Sequence, residues 1–292
     1  MRDFSQDHRW LSINTATVRK SRGQEVPLPD ILDACARHGI GAISPWRDQV
    51  AATGLKTISA QVKSHGLKLS GYCRGGMFPA SDAAGLKAAL DDNRRAVDEA
   101  CELNAACLVL VVGGLPGALA GKAAHKDIAL ARQQVSDGIG ELLEFARNSG
   151  MPLAIEPLHP MYAADRACIN TLEQALDVCD ALDPGQSGAL GVAVDMYHVW
   201  WDPKLQAQIE RAGRNRLLAF HVCDWLTPTT DLLNDRGMMG DGVIDIPRAR
   251  AWVEAQGFAG FSEVEIFSTG HWWQRETDEI LKTCIERHRS AV

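Results

Sequence analysis

The sequence has 292 residues, of which 46% are hydrophobic and 23% are charged, and its formal net charge is −7. This composition is ordinary for a globular protein with a large core, and without a run of lysine and arginine we expect neither nucleic acid nor a membrane surface as a partner. The N-terminus lacks the apolar core of a signal peptide and no apolar run reaches the roughly 18 residues of a membrane span, so we expect a cytoplasmic protein.

Short apolar segments alternate with longer amphipathic ones along the whole chain. Strands are predicted at 10–18, 39–46, 67–73, 106–114, 151–160, 189–199, 217–223 and 258–267. Helices are predicted at 28–39, 53–66, 81–104, 125–149, 169–182, 202–213, 246–257 and 273–289, the third of them with Ser81 as its N-cap. Eight such pairs in under 300 residues favour an α/β fold, a single-domain (β/α)₈ or TIM barrel spanning residues 1–292.

One connection is much longer than the others. Residues 224–245 follow the seventh predicted strand and lie on the face where (β/α)₈ barrels carry their active sites. Within this loop, Arg236 is followed by Gly237, Gly240 and Gly242, which would allow the backbone to approach a ligand closely. We therefore expect an active-site loop in which Arg236 contacts the substrate.

Charged side chains occur at the ends of the last four predicted strands. They are Glu156 in LAIEP, Asp195 in GVAVD, His221 in LAFHV and Glu265 in EVEIF. Buried charges are costly unless they are paired or bind a metal, and the strand ends of a closed barrel converge. The four residues therefore predict one site of three carboxylates and one imidazole, which suits Mn²⁺, Mg²⁺ or Co²⁺. The two glutamates can also serve as a general acid/base pair.

Further residues are candidates for contact with a substrate. Glu263 faces the same way as Glu265, and we assign the ligand role to Glu265 because it lies nearer the C-terminal end of the strand. His198 comes three residues after Asp195, where a turn can bring it back to the site. Aromatic rings near strand ends suit a sugar, and the remaining candidates for the pocket lining are Trp46, Tyr72 and His159.

Five motifs together resemble the xylose isomerase-like, endonuclease IV-like barrel superfamily. They are IEP at 155–157, VDMYH at 194–198, FHVCD at 220–224, GDGVIDIP at 240–247 and EVEI at 263–266. The site pattern is most similar to the single-metal ketose 3-epimerases. That resemblance implies one divalent metal, with Mn²⁺ expected and Co²⁺, Mg²⁺ or Zn²⁺ as alternatives, and makes Glu156 and Glu265 the acid/base pair on opposite faces of the substrate. It also matches His198 and Arg236 to substrate-binding positions.

The leading hypothesis is a metal-dependent isomerase or epimerase that removes an α-proton from a keto sugar or related polyol and passes through an enediolate. A dehydratase or lyase that acts by β-elimination on a keto sugar, an inosose or a keto-glycoside begins with the same step and stays open. A sugar-binding or partner subunit without activity is the third alternative. A small carbohydrate is the expected ligand, and the resemblance implies a homodimer or homotetramer.

Overall fold

Parallel strand segments form one sheet in the computed structural model, which describes residues 2–292. We label the barrel strands β1 to β8, the third of which consists of two segments. They are Leu11–Asn14 (β1), Ala42–Ser44 (β2), Lys68–Leu69 with Tyr72–Gly76 (β3), Leu108–Val111 (β4), Leu153–Ile155 (β5), Leu190–Asp195 (β6), Leu217–Val222 (β7) and Ser262–Val264 (β8). Most of their side chains are buried, as expected for strands that are covered on both faces.

The sheet closes on itself. Strand β8 pairs in parallel with β1, where Leu11 lies opposite Ser262 and Ile13 opposite Val264. The two ends of the ladder are the consecutive segments of β3, and single bridges from Trp46 to Cys73 and from Leu69 to Ala105 tie them to the neighbouring strands. This closure confirms the predicted (β/α)₈ barrel.

Helices surround the barrel and pack their apolar faces on it. They are Leu28–Arg37 (α1), Arg47–Thr53 (α2), Leu55–His65 (α3), Ala83–Glu102 (α4), Ile128–Ser149 (α5), Leu172–Leu182 (α6), Met196–Val199 (α7), Leu205–Arg216 (α8), Ile246–Ala255 (α9) and Thr277–Ala291 (α10). Across residues 2–292, none of these helices has the length and apolar character needed to cross a membrane.

The element boundaries differ from the predicted ones for identifiable reasons. Strand β1 ends at Asn14, since the side-chain oxygen of that residue accepts a hydrogen bond from the backbone of Ala16 at 3.1 Å and turns the chain into a 3₁₀ helix. Helix α4 is capped by Asp82 and not by Ser81, because the Asp82 carboxylate accepts the backbone N–H of Gly85 at 2.7 Å. The helix predicted at 53–66 is preceded by α2, from which it is separated at Gly54.

The long loop after β7 is organised around one buried carboxylate. Asp224 accepts backbone hydrogen bonds from Trp225, Gly240 and Ile244, each at 2.9 Å. Residues Asp224–Trp225 also pair in antiparallel fashion with Arg236–Gly237. A Cβ atom on Gly242 would lie 2.1 Å from the carbonyl oxygen of Trp225, so this glycine allows the loop to approach itself and not, as its sequence context suggested, a ligand. The loop therefore holds Arg236 at a defined place on the mouth of the barrel.

Asp224→Ala is expected to destabilise the protein by about 3 kcal/mol, because three backbone N–H groups, all in a buried or half-buried setting, lose a charged acceptor. Equilibrium unfolding in urea measures the change. Asp241→Ala in the same loop is the matched control: its ion pair with Arg287 is partly exposed and should contribute under about 1 kcal/mol. Equal losses of stability in the two variants would contradict the organising role of Asp224.

Candidate metal centre and active site

Four ligand-type side chains meet at the C-terminal mouth of the barrel. Glu156 directly follows β5, Asp195 ends β6, His221 lies one residue before the end of β7, and Glu265 directly follows β8. Each offers one ligand atom, and these atoms all lie within 4.8 Å of one another. All four side chains are buried. The structure thus brings together the four residues that the strand-end pattern predicted as one site.

His221 lies between two carboxylates. Its Nδ1 is 2.9 Å from Oε1 of Glu156, and its Nε2 is 3.5 Å from Oε1 of Glu263. Glu263 in turn accepts hydrogen bonds from Asn14 at 2.9 Å and from Ser70 at 2.7 Å, one layer deeper in the barrel. Burial opposes a charged imidazole, but Glu263 and Glu156 outweigh it and raise the pKa of His221 well above its usual value. Glu263 therefore attracts the imidazole electrostatically from the side of Nε2, and Nδ1 is the nitrogen that faces the cluster.

Arg236 lies against two of the four residues. Its Nη1 is 3.3 Å from Oδ2 of Asp195 and 2.9 Å from Oε2 of Glu265, while its Nη2 is 3.2 Å from Nε2 of His198. The guanidinium also lies over the ring of Tyr197, 4.4 Å from the centroid. The position of Arg236 in the loop predicted a contact with substrate but not this contact with two ligand-type carboxylates.

Two carboxylates of the cluster, those of Asp195 and Glu265, have displaced pKa values. Burial alone would raise the pKa of Asp195, but the pKa falls to about 2 because neighbouring groups, among them the positively charged Arg236, stabilise the carboxylate. Burial raises the pKa of Glu265 to about 8, against the opposing effect of Arg236 and with further repulsion from Glu156 and Asp195. Three acids this close to one another cannot all ionise without a compensating cation.

The donor set fits a divalent metal. Four buried carboxylates, those of Glu156, Asp195, Glu263 and Glu265, face one guanidinium and one imidazole, which leaves an excess of negative charge away from bulk water. The buried Nε2 of His221 has no hydrogen-bond partner, while Nδ1 points at the carboxylates. Three carboxylates with one imidazole suit Mn²⁺, Mg²⁺ or Co²⁺. Zinc can also bind such a set, although so many oxygen ligands are less usual for it.

Beside the cluster lies a pocket that is open to the solvent. Its polar wall includes Glu156, Glu265, Arg236 and His198, and much of the remaining wall is apolar. Residues 196–199 form the one-turn helix α7, which turns His198 back so that its Nε2 lies 3.7 Å from Oδ2 of Asp195. Burial lowers the pKa of His198 to about 3, so this imidazole is neutral.

Trp46 lines the pocket, as its position near a strand end predicted. Its indole N–H donates to the side-chain oxygen of Asn14 at 2.7 Å. The amide nitrogen of Asn14 donates to Glu265 at 2.9 Å and to Glu263 at the same distance. Sequence reasoning did not select Asn14, although an asparagine at the end of the apolar segment WLSIN was a visible signal. It links the wall of the pocket to the cluster.

Two predicted lining residues are placed elsewhere. Tyr72 is buried with its hydroxyl donating to Glu99 of α4 at 3.0 Å, which puts the ring on the helix side of the strand. His159 stacks on Trp225 with ring centroids 5.1 Å apart, and only its backbone N–H reaches the site, donating to Nδ1 of His198 at 3.2 Å. Neither side chain therefore lines the pocket beside the cluster.

Comparisons with known proteins agree with this geometry. The family model described as the xylose isomerase-like TIM barrel matches residues 32–286. A curated relative, fructoselysine 3-epimerase of Shigella flexneri, is 24% identical over 284 residues, which cover 92% of this chain and 95% of the relative.

Solved structures show the same fold. Protein SMc04130 from Sinorhizobium meliloti 1021 is 58% identical in sequence, and its crystal structure superposes with a TM-score of 0.90. The match covers 97% of this chain and 98% of that protein's chain. The IOLI protein with a bound zinc atom is 19% identical, with 94% and 95% coverage and a TM-score of 0.78. Since the family model spans most of the chain, the protein belongs to the xylose isomerase-like TIM-barrel family.

Proposed function

We propose that the protein is a divalent-metal-dependent epimerase or isomerase that acts on a keto sugar or a related polyol. One observation carries the proposal: Glu156, Asp195, His221 and Glu265 offer ligand atoms within 4.8 Å of one another, and two of them, Glu156 and Glu265, line a pocket beside the cluster. A cluster of this kind combines a cation site with carboxylates that can exchange protons with a bound substrate. Mn²⁺ is the expected ion.

The relatives support this proposal. The curated relative is named for the epimerisation of a sugar derivative, and the IOLI protein holds a zinc atom. Both are less than 25% identical to this chain, so the substrate class and the metal of this chain are proposals. The complete set of ligand-type residues in this chain argues for a functional site and against a vestigial one.

The residues of the pocket have separable roles. When bound, a divalent ion supplies Lewis acidity that stabilises the negative charge of an enediolate. Glu156 and Glu265 come from β5 and β8, and one would remove the α-proton while the other returns a proton on the opposite face. Arg236 would donate to substrate oxygens while keeping Glu265 in place, and the neutral His198 would hold a hydroxyl. Trp46 would cover one face of the sugar.

The function is tested by incubating the Mn²⁺-loaded protein in D₂O with a panel of keto sugars, sugar phosphates and keto-aldonic acids. We expect deuterium to enter at the α-carbon and a second sugar of otherwise identical composition to form, as seen by NMR and mass spectrometry. Loss of water or of an aglycone would mark β-elimination and contradict the proposal in favour of a lyase. No exchange with any member of the panel would contradict both.

One divalent metal should bind per chain. Elemental analysis of the dialysed, Mn²⁺-reloaded protein is expected to give one equivalent, and the Asp195→Ala, His221→Ala double variant should lose it because half of the donor set is gone. His159→Asn is the matched control, since this imidazole packs on Trp225 outside the cluster. Stoichiometric metal in the double variant would refute the assignment of the ligands.

Glu156→Gln and Glu265→Gln should each lower turnover by roughly 10²–10⁴-fold, the range that general acid/base catalysis contributes. Glutamine keeps an oxygen that can bind metal, so the metal content of each variant, measured alongside, separates lost chemistry from lost metal. If the two groups act on opposite faces, one variant should still exchange the α-proton of one epimer with D₂O. Turnover near the wild-type value in either variant would rule out its role as acid or base.

Arg236→Gln should retain one equivalent of metal, because removing a cation beside Asp195 and Glu265 does not weaken the attraction of these carboxylates for another. KM is expected to rise roughly tenfold or more, the effect of losing one charge-assisted hydrogen bond to the substrate, with a smaller change in kcat. Arg248→Gln, on an exposed face of α9, is the control. Unchanged KM and kcat would remove Arg236 from the substrate site.

A further inference from the structure

Two arginines of the pocket have no role in the mechanism above. Arg74 lies in the second segment of β3, and Arg166 lies in the loop between β5 and α6. Both line the same pocket as Glu156 and Glu265. Neither residue was predicted from the sequence to contact substrate. Arg74 follows a predicted strand end without any further signal, and Arg166 lies in a loop that has no motif or periodicity.

Neither guanidinium has a hydrogen-bond or ion-pair partner among residues 2–292. In residues 2–292, every other arginine that is at least partly buried donates a hydrogen bond to an acceptor or forms an ion pair. These are Arg2, Arg19, Arg47, Arg94, Arg132, Arg216, Arg236, Arg250 and Arg287. Arg74 and Arg166 are half-buried and have neither kind of partner, apart from the contact of Arg166 with the ring of Tyr162 at 5.6 Å. Guanidinium groups withdrawn from water without an acceptor are costly, so a missing anionic partner is indicated.

The backbone conformation places both arginines at the pocket. Strand β3 pairs Cys73 with Val109 and Gly75 with Leu110 of β4, so Arg74 is the extra residue of a bulge. Bulges near active sites redirect a side chain that regular pairing would not aim there. Arg166 is fixed by its backbone, whose N–H donates to Tyr162 and whose carbonyl accepts from Gly113, each at 3.1 Å. Both positions are therefore built into the fold.

The two positive charges act on each other. Burial lowers the pKa of Arg74, and the nearby Arg166 lowers it further, while Glu156 opposes the shift. Like charges that face one pocket favour an anion between them, in the way that paired guanidinium groups bind carboxylates and phosphates. Because Glu156 and Glu265 line the same pocket as the two arginines, one small molecule in this pocket can contact the cluster and the arginines together.

We infer that Arg74 and Arg166 form an anion subsite, and that the substrate is a keto sugar with a carboxylate or phosphate group at the end away from its carbonyl. This inference rests on the proposed function for the position of the carbonyl at the metal cluster. The subsite itself depends only on the two unpaired arginines. An acidic sugar would be oriented by charge at one end and by the metal ligands at the other, which leaves its α-carbon between Glu156 and Glu265.

Isothermal titration of the Mn²⁺-loaded protein tests the subsite with three probes that differ only in the group at C6: D-fructose, D-fructose 6-phosphate and D-fructuronate. We expect the wild type to bind at least one of the anionic probes roughly tenfold or more tightly than D-fructose. A preference for the phosphate ester or for the carboxylate identifies the source of the anion. Arg74→Gln and Arg166→Gln should each reduce the preference to within about twofold, and Arg74→Lys should restore part of it.

Arg214→Gln is the matched control, because Arg214 is also an arginine without a hydrogen-bond partner but lies exposed at the end of α8, outside the pocket. Metal content and affinity for D-fructose should be unchanged in all of these variants. Equal affinities of the wild type for the three probes, no binding of either anion, or a preference that survives in both glutamine variants would overturn the inference. An anion preference without any α-proton exchange would instead retain the subsite and contradict the proposed function.

Discussion

The concentration of buried carboxylates at the C-terminal mouth of the barrel is the constraint on which the rest of the structure depends. Glu156, Asp195, Glu263 and Glu265 are almost fully withdrawn from water. Carboxylates buried this closely repel one another and lose their hydration, a cost that stabilising contacts must offset. Arg236 and His221 offset part of it, and the remaining negative charge is what makes the site suited to a divalent cation.

Two layers of polar contacts hold these charges in place. Below the cluster, Ser12, Ser70 and Asn14 form a hydrogen-bonded layer that fixes Glu263, and Glu263 faces the imidazole of His221. Above it, the loop after β7 is folded around Asp224 and carries Arg236 against the cluster. The strands alone bring the ligand residues to one edge, while these polar layers determine where each side chain points.

The sequence was most informative where geometry follows from topology. Strands of a closed parallel barrel end on one face, so Glu156, Asp195, His221 and Glu265 had to converge once eight strand–helix units were recognised. Their spacing along the chain carried this prediction without any detail of packing. The same logic predicted that His198, placed after a strand end, could turn back to the site, which the short helix α7 brings about.

Other residues could not be placed because local backbone geometry decides which way a side chain points. Tyr72 and Arg74 both lie in β3, and the bulge at Arg74 breaks the simple alternation that would have assigned each to a face. His159 follows β5 but turns its ring to the tryptophans of the rim. Arg166 belongs to a loop whose path depends on backbone contacts with Gly113 and Tyr162, which no periodicity in the sequence encodes.

The central claim is that the excess negative charge at the barrel mouth holds one divalent cation. Anomalous diffraction from crystals of the full chain grown with MnCl₂, recorded on both sides of the manganese absorption edge, tests it most directly. The account predicts one strong anomalous peak per chain, in contact with Glu156, Asp195, His221 and Glu265 and not with Glu263. The absence of an anomalous peak at the barrel mouth in saturating Mn²⁺ would contradict it. A peak in contact with a different set of residues would contradict it as well.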